Sequence, residues 1–505
     1  MELFTERHAA KITGELSCLD RVVISGTLPG LCYADGMSRY LRFNGIRIFD
    51  YARWAEPLRD QIRQNAQALA EEAGVSIEYL RNSNLRKESL VHEILKKRGN
   101  HQGLVCIFSA MEGCSSYKPW HDKPSGRTFL KGDTGKCLHY YFYFIDPELG
   151  LCYLRVPTWA PFRLQFYFNG HGALEAVMRK RQIEARMLDN AFVHVADWLQ
   201  AQRLAEQLKP EALHRKLDHY ARLFCPPVAL FDSGYHWSLM QVEYATDIVF
   251  RRQQELSPIY ESLVRTAVHA VKAENVATFL GRKLCGQYRD ELGNDFQTRI
   301  QGTRIKHRMA KAAIKMYDKH GLILRIETTV NDVSFFKHHR RVEHRNGSWQ
   351  MKTAPLKKSI YSLPALVDLM CASNRRYLEF ISTLDDPSSG LKDLEKIALA
   401  VRKGKRSLRG FNLFAGDDLD VFQTLLRGEY NISGFQNKDL AQRLHKGGRQ
   451  VSWLLKRLRC HGLIKKVGHC YKYYLTALGR RVTATAVRLR EMAVIPSLCA
   501  AHSRA

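Results

Sequence analysis

The sequence predicts an α+β fold: a main domain over residues 1–384 that combines an antiparallel sheet with many helices, then a basic linker, then a small C-terminal helical module. Three observations carry this. Short β-branched or aromatic runs, each ended by Gly, Pro, Asp or Asn, alternate with amphipathic helical stretches, and no βαβ unit repeats. Hydrophobic residues at 45% and charged residues at 25% match soluble globular chains, and no apolar run approaches the roughly 18 residues of a membrane span. The charge is also uneven: from Arg402 to Ala505 there are 21 Lys/Arg against 6 Asp/Glu, over half of the net +28. Around that step lies Leu384-Asp-Asp-Pro-Ser-Ser-Gly390 and then Arg402-Lys403-Gly404-Lys405-Arg406, which sets the linker at 385–415, the module at 416–490 and a tail at 491–505.

In chain order, Cys18–Leu28, Gly103–Ala110, Leu138–Asp146, Gly150–Val156 and Phe162–Asn169 read as strands. The turn at Asp146-Pro-Glu-Leu-Gly150 makes 138–169 an antiparallel meander. Helical periodicity covers 55–73, 86–98, 172–182, 197–224, 237–272 and 363–383. On the helix expected at 237–272, Glu243 and Asp247 stand four residues apart, where two carboxylates can share a metal. The stretch Ser115 to Lys136 reads as a basic surface loop: Lys118, His121, Lys123, Arg127, Lys131 and Lys136 surround Trp120, a pattern that suits single-stranded nucleic acid. Gly132-Asp-Thr-Gly-Lys136 lacks the spacing of a phosphate loop, which argues against an NTPase. Tyr141 and Tyr143 share one strand face and either pack in the core or stack on bases.

The chemistry-bearing stretch is Gly302 to Asp332. Ile314–Lys319, a turn at His320-Gly321 and Leu322–Val330 form a hairpin, whose alternation groups Lys315, Tyr317, Lys319, Arg325, Glu327 and Thr329 on one face. A carboxylate can hold a divalent metal, cations can clamp a phosphate and a phenol can attack it. Tyr317-Asp318-Lys319 followed by Arg325-Ile326-Glu327 resembles the Tyr-Asp-Lys and Arg-x-Glu strands of rolling-circle replication initiators. That resemblance covers some thirty residues. It implies a metal-dependent nickase with Tyr317, Asp318, Arg325 and Glu327 as its catalytic set, Asp318 and Glu327 holding Mg or Mn, and a 5′ phosphate kept on the enzyme. Tyr377 and Tyr244 are further candidate nucleophiles, and Asp20 and His307 would join the site if they converge on it. The competing reading is an ordinary amphipathic hairpin with cross-strand ion pairs.

In the module, Asn437–Leu444 and Gly448–His461 are amphipathic helices, the second with Val451, Leu454, Leu455 and Leu458 inward. Arg449, Gln450, Ser452, Trp453, Lys456 and Arg459 then face outward, and Ile464–Leu475 reads as two strand arms about a Gly468 turn. This order resembles the winged helix-turn-helix of bacterial transcription factors. The resemblance implies a recognition helix at 448–461 in a DNA major groove with Lys465, Lys466 and Lys472 of the wing on the backbone.

The basic surplus calls for a polyanionic partner, DNA first and RNA second, and no membrane. Twelve single cysteines without CxxC spacing exclude a zinc ribbon and fit a reducing compartment, and the charged N-terminus Met1–Lys11 fits a cytoplasmic chain. The expected function is that of a nucleic-acid-binding protein of a mobile or replicating element, a metal-dependent strand-nicking initiator or a transposase-like enzyme. The alternative is a non-catalytic winged-helix regulator that binds DNA or RNA.

Overall fold

The computed structural model describes residues 4–81, 87–99, 102–231, 234–282, 292–299, 302–344, 346–382, 387–404, 406–467, 471–496 and 498. They form two compact units, Met1–Leu384 and Asp385–Ala505. The first is a mixed helix and strand unit around one large sheet. Its strands are β1 (Ile12–Thr27), β2 (Ile77–Tyr79), β3 (Gly103–Asp122), β4 (Arg127–Asp146), β5 (Gly150–Pro157), β6 (Leu164–Asn169), β7 (Ala185–Met187), β8 (Phe192–Val195), β9 (His236–Phe250), β10 (Leu292–Arg299), β11 (Gly302–Met309), β12 (Ala312–Lys319), β13 (Ile323–Val330), β14 (Lys337–Glu343) and β15 (Trp349–Pro355). Its helices are α1 (Phe4–Arg7), α2 (Ala34–Phe43), α3 (Tyr51–Glu72), α4 (Lys87–Arg98), α5 (Gly170–Lys180), α6 (Trp198–Ala205), α7 (Pro210–Phe224), α8 (Gln253–His269), α9 (Ala273–Phe279) and α10 (Leu363–Ser382).

Eleven strands pair in the order β10-β11-β12-β13-β9-β1-β6-β5-β4-β3-β2, and only β2 against β3 is parallel. Alternation gives the sheet two unlike faces. Val22, Ile24, Val242, Tyr244, Ile314, Met316, Leu324 and Ile326 point to one face and build the main core with residues of α3, α7, α8 and α10. The opposite face is covered at two places. Leu16 and Cys18 pack under Leu174 and Met178 of α5 and Ala201 and Leu204 of α6, while Val91 of α4 lies over Val105, Tyr143 and Tyr153. Between these covers the face is polar.

In this unit three expectations change. The helix read at 237–272 is strand β9 followed by α8, because Val242, Tyr244, Thr246 and Ile248 alternate with a strand period and are β-branched or aromatic. The helix read at 197–224 is two helices, divided before Pro210, which takes the first position of α7. The basic loop at 115–136 is the distal half of the β3–β4 hairpin, which pairs from Gly103↔Ile145 to Asp122↔Arg127 with one register shift between Leu104 and Cys106. Its Tyr117 hydroxyl donates to the Leu31 carbonyl at 2.6 Å, while Lys131 lies 4.6 Å over the Trp120 ring. Tyr141 and Tyr143 are buried beside Tyr153, so they pack rather than stack on bases.

The second unit contains α11 (Pro387–Ala398), β16 (Val401–Lys403), β17 (Arg406–Leu408), α12 (Gly416–Leu425), α13 (Gly428–Ser433), α14 (Asn437–Leu444), α15 (Gly448–Cys460), β18 (Ile464–Lys466), β19 (Tyr473–Leu475) and α16 (Ala477–Leu489). The stretch expected as a linker is folded: Ile397 and Phe411 are buried in this unit's core, and the Phe411 amide donates to the Ile397 carbonyl at 2.7 Å. Within the stretch expected as a tail, the helical path continues from α16 through Arg490–Val494. His445 makes the left-handed turn between α14 and α15, and β18 pairs β19 antiparallel. The Gly468 turn lies outside the described residues.

Candidate active site on the polar face of the main sheet

The site is built on the three neighbouring strands β1, β9 and β13, with β12 beside them. A bulge in β1 supplies its first residue. Leu19 pairs with Tyr244 and Val22 with Val242, so Asp20 and Arg21 together oppose Glu243. A bulge of this kind re-aims a side chain without ending the ladder. On the other side of β9, Glu243 opposes Thr329, and Glu327 on β13 opposes Lys315 on β12. Carboxylate oxygens of Asp20, Glu243 and Glu327 thereby come within 4.8 Å of one another.

Lys315 and Tyr317 complete this set. The Lys315 ammonium donates to Glu327 Oε1 at 2.5 Å and to Glu243 Oε1 at 3.3 Å, and the Tyr317 hydroxyl donates to Glu327 Oε2 at 2.8 Å. Thr329 Oγ1 lies 3.3 Å from an oxygen of each glutamate, so its one proton is shared between them. Burial and the nearby Glu327 charge raise the Glu243 pKa. Burial opposes the Lys315 charge, but Glu327 and Glu243 outweigh it and raise its pKa. Burial and Glu327 push the Tyr317 phenol well up. The side chains of Glu243 and Lys315 are each 15% exposed, whereas that of Glu327 is 3% exposed, so the set opens to solvent through the first two.

A second buried layer holds Asp20 in place. Arg325, fully buried, donates through Nε and Nη2 to the two Asp247 oxygens, both at 2.6 Å, and through Nη1 to Asp20 Oδ2 at 3.3 Å. Its Nη2 also lies 3.0 Å from His171 Nε2, and the imidazole stands 3.3 Å from both Asp20 Oδ1 and Asp247 Oδ2; against the cost of burial, Cys18 and these aspartates raise its pKa well above the ordinary value. Asn169 and Asn190 donate to Asp20 Oδ1 at 2.7 and 2.8 Å. Against the cost of burial, His171, Arg325 and Asn190 hold the Asp20 carboxyl well below the usual range. Asp247 is likewise held down at about 2, burial being outweighed by Arg325 and His171. Lys319, whose ammonium bonds Asn190 Oδ1, is pulled down to about 8 by burial and by Arg325.

Of the residues expected in the catalytic set, Tyr317 and Glu327 meet, but Asp318 and Arg325 do not act beside them. Asp318 follows Tyr317 on a strand and so points to the opposite face, near Tyr260 of α8, where burial raises its pKa to about 6. It cannot share a metal with Glu327, and Asp20 and Glu243 stand there instead. Arg325 is spent on Asp247 and Asp20 and supports the site from beneath. The shared site expected for Glu243 and Asp247 fails because four residues on a strand span about 13 Å. His307 bonds Tyr377 at 3.0 Å on the helix-covered face, and Tyr377 and Tyr244 are buried there, away from Glu327.

In the second unit, Arg449, Gln450, Ser452, Trp453, Lys456 and Arg459 all lie on the exposed face of α15, with Lys465 and Lys472 exposed and Lys466 half-buried on the strand pair's side. Lys466 lies 5.4 Å over the Tyr471 ring, and two side chains of α15 have hydrogen-bond partners. Gln450 Oε1 accepts the Gly447 amide at 3.2 Å, and Ser452 Oγ accepts from Asn437 at 2.8 Å, tying α15 to α14. Arg457 turns inward instead, donating to Asp418 at 2.8 and 3.0 Å over the Phe411 ring.

Fold and site thus define an α+β chain with a carboxylate, lysine and tyrosine centre on an antiparallel sheet. No protein-family model matches this chain, and no curated protein or solved structure matches it either.

Proposed function

We propose that the polar face of the main sheet is a metal-dependent phosphoryl-transfer centre that nicks DNA, and that the second unit is a winged helix that binds duplex DNA. The observation that carries this reading is the convergence of Asp20, Glu243 and Glu327 with the Tyr317 hydroxyl 2.8 Å from Glu327. The donor set fits a hard divalent cation such as Mg or Mn, which takes carboxylate oxygens. The cations nearby are divided between the layers: Lys315 lies against Glu243 and Glu327, while Arg325 and His171 lie against Asp20 and Asp247. Burial and the Glu327 charge raise the pKa of Glu243, a cost that a bound divalent cation would offset. A divalent ion held by the three carboxylates would supply Lewis-acid charge at a phosphoryl oxygen.

The chain's own groups supply the rest. Tyr317 passes its proton to Glu327 and its oxygen attacks phosphorus, so an O–P bond to the enzyme forms as the bond to the 3′ oxygen breaks. The departing oxygen takes a proton from an ammonium, and Lys315, 2.5 Å from the same Glu327 carboxylate that the Tyr317 hydroxyl bonds, is the cation beside the phenol. The amphipathic α15 behind α14, the following β18–β19 pair and the basic surplus after Arg402 support the duplex-binding role.

The test is a nicking assay on supercoiled and single-stranded DNA with Mg or Mn. Wild-type protein is expected to cut and to become covalently joined to DNA. Tyr317→Phe should lose the adduct and keep metal binding, whereas Glu327→Gln should lose both cutting and metal binding. A folded wild-type protein that neither cuts nor forms an adduct with either metal would leave the regulator reading, in which Lys315 bridges the two glutamates as a structural ion pair.

A further inference from the structure

We propose that the cavity beside the carboxylate set binds a nucleotide of single-stranded nucleic acid, with Arg21 and Arg163 on its phosphates. The proposal rests on the nicking reading and names the form of its substrate. The cavity measures about 490 Å³ and lies on the polar face, walled by Arg21, Arg155, Arg163, Trp159, Gln241 and Cys114 among others, with no carboxylate in its lining. It adjoins the acidic set at two points: Arg21 shares the β1 bulge with Asp20, and Gln241 Nε2 donates to Glu243 at 3.3 Å.

The cations differ in what they already hold. Arg155 is committed to Glu112 through two bonds of 2.9 and 2.7 Å. Among the described residues, Arg21 and Arg163 have no carboxylate within ion-pair distance. Arg21 rests 5.3 Å over the Tyr167 ring with its buried Nε lacking a hydrogen-bond partner, and Arg163 is exposed. A guanidinium fork with an unspent donor is a phosphate ligand. Trp159, half-buried, offers an indole on which a base can stack. The volume falls in the range of small-molecule sites, so a base must leave a duplex stack to enter. A strand with one phosphate at the carboxylates would therefore place its neighbouring nucleotide in this cavity.

Cys114 gives a local probe. Its half-buried thiol lines the cavity, and the Cys137 hydrogen bond and Arg155 lower its pKa, which favours the thiolate that alkylating reagents attack. The experiment uses the full chain in EDTA, which removes metal-dependent cutting. Binding of labelled dT12 and of a duplex of equal length is followed by anisotropy, and Cys114 alkylation by mass spectrometry. The wild type is expected to bind dT12 with Cys114 protected. Arg21→Gln/Arg163→Gln should weaken dT12 at least tenfold, abolish the protection and leave duplex affinity unchanged; Arg163→Gln alone, at an exposed position, should show part of the loss. Unchanged dT12 affinity in the double variant, or an unprotected Cys114, overturns the proposal. So does equal protection by free dTMP at the same nucleotide concentration, which would make the ligand a mononucleotide. Binding with protection but no cutting in metal would sink the nicking reading and leave the cavity assignment standing.

Discussion

At the scale of single residues, the hairpin carries its own division of labour. The alternation that groups Lys315, Tyr317 and Glu327 also sends Asp318 to the far face, so the Tyr-Asp-Lys string contributes a tyrosine and a lysine to the site but not its carboxylate. Asp318 has a folded pKa near 6 against an ordinary value of 3.8. Its ionisation therefore destabilises the fold as pH rises from about 4 to 6, and Asp318→Asn removes that cost. Allowing for its partial exposure, the variant should be about 1–2 kcal/mol more stable at pH 7 and no more stable below pH 4, with metal binding intact. Urea midpoints at the two pH values check this. Arg325 behaves oppositely. Arg325→Met strands Asp20 and Asp247 in the interior and should cost about 3–5 kcal/mol, read in the same urea titration.

Between elements, the site depends on how closely α5 meets β1. A Cβ on Gly170 would lie 2.0 Å from the Leu19 carbonyl oxygen, beside the bulge that presents Asp20. Gly170→Ala must push helix and strand apart, so it should lower stability and weaken Mn binding more than its distance from the ligands suggests. Calorimetric titration of the folded variant with Mn decides. This juxtaposition marks the limit of what the sequence discloses. The β12–β13 hairpin is local, and its facing residues follow from period-two alternation. Asp20 reaches Arg325 across 305 positions, and no local pattern encodes that register. Glu243 was legible as a candidate but placed on a helix, since a run bearing Glu243, Tyr244 and Asp247 before the true helix α8 masks the strand period. The 115–136 arm was hidden by its charge, which marks a solvated surface without separating loop from exposed hairpin.

On the scale of the whole molecule, the charge step after Arg402 locates the basic module but not where its fold begins. Besides the Ile397 contacts, His461 Nε2 lies 3.2 Å from the Leu399 carbonyl oxygen. A fragment of residues 385–505 should therefore fold, whereas one starting at Arg402 should melt at a lower temperature, as circular dichroism would record. The longer fragment is expected to bind duplex DNA with a log K against log salt slope of about −0.9 per phosphate contact, and Arg449→Ala/Lys456→Ala should reduce that slope by about 2 without lowering its melting temperature. In the first unit, β1, β9 and β13 are interior strands with a partner on each side, whereas β2 and β10 are the sheet's two ends. Amide protons beside Asp20, Glu243 and Glu327 can then meet solvent deuterium only when the sheet opens as a unit, while those of the end strands exchange through local fraying. An occupant of the carboxylate set should therefore slow deuterium uptake by a common factor along all three interior strands, set by its concentration over Kd, and leave the ends of the sheet almost unchanged.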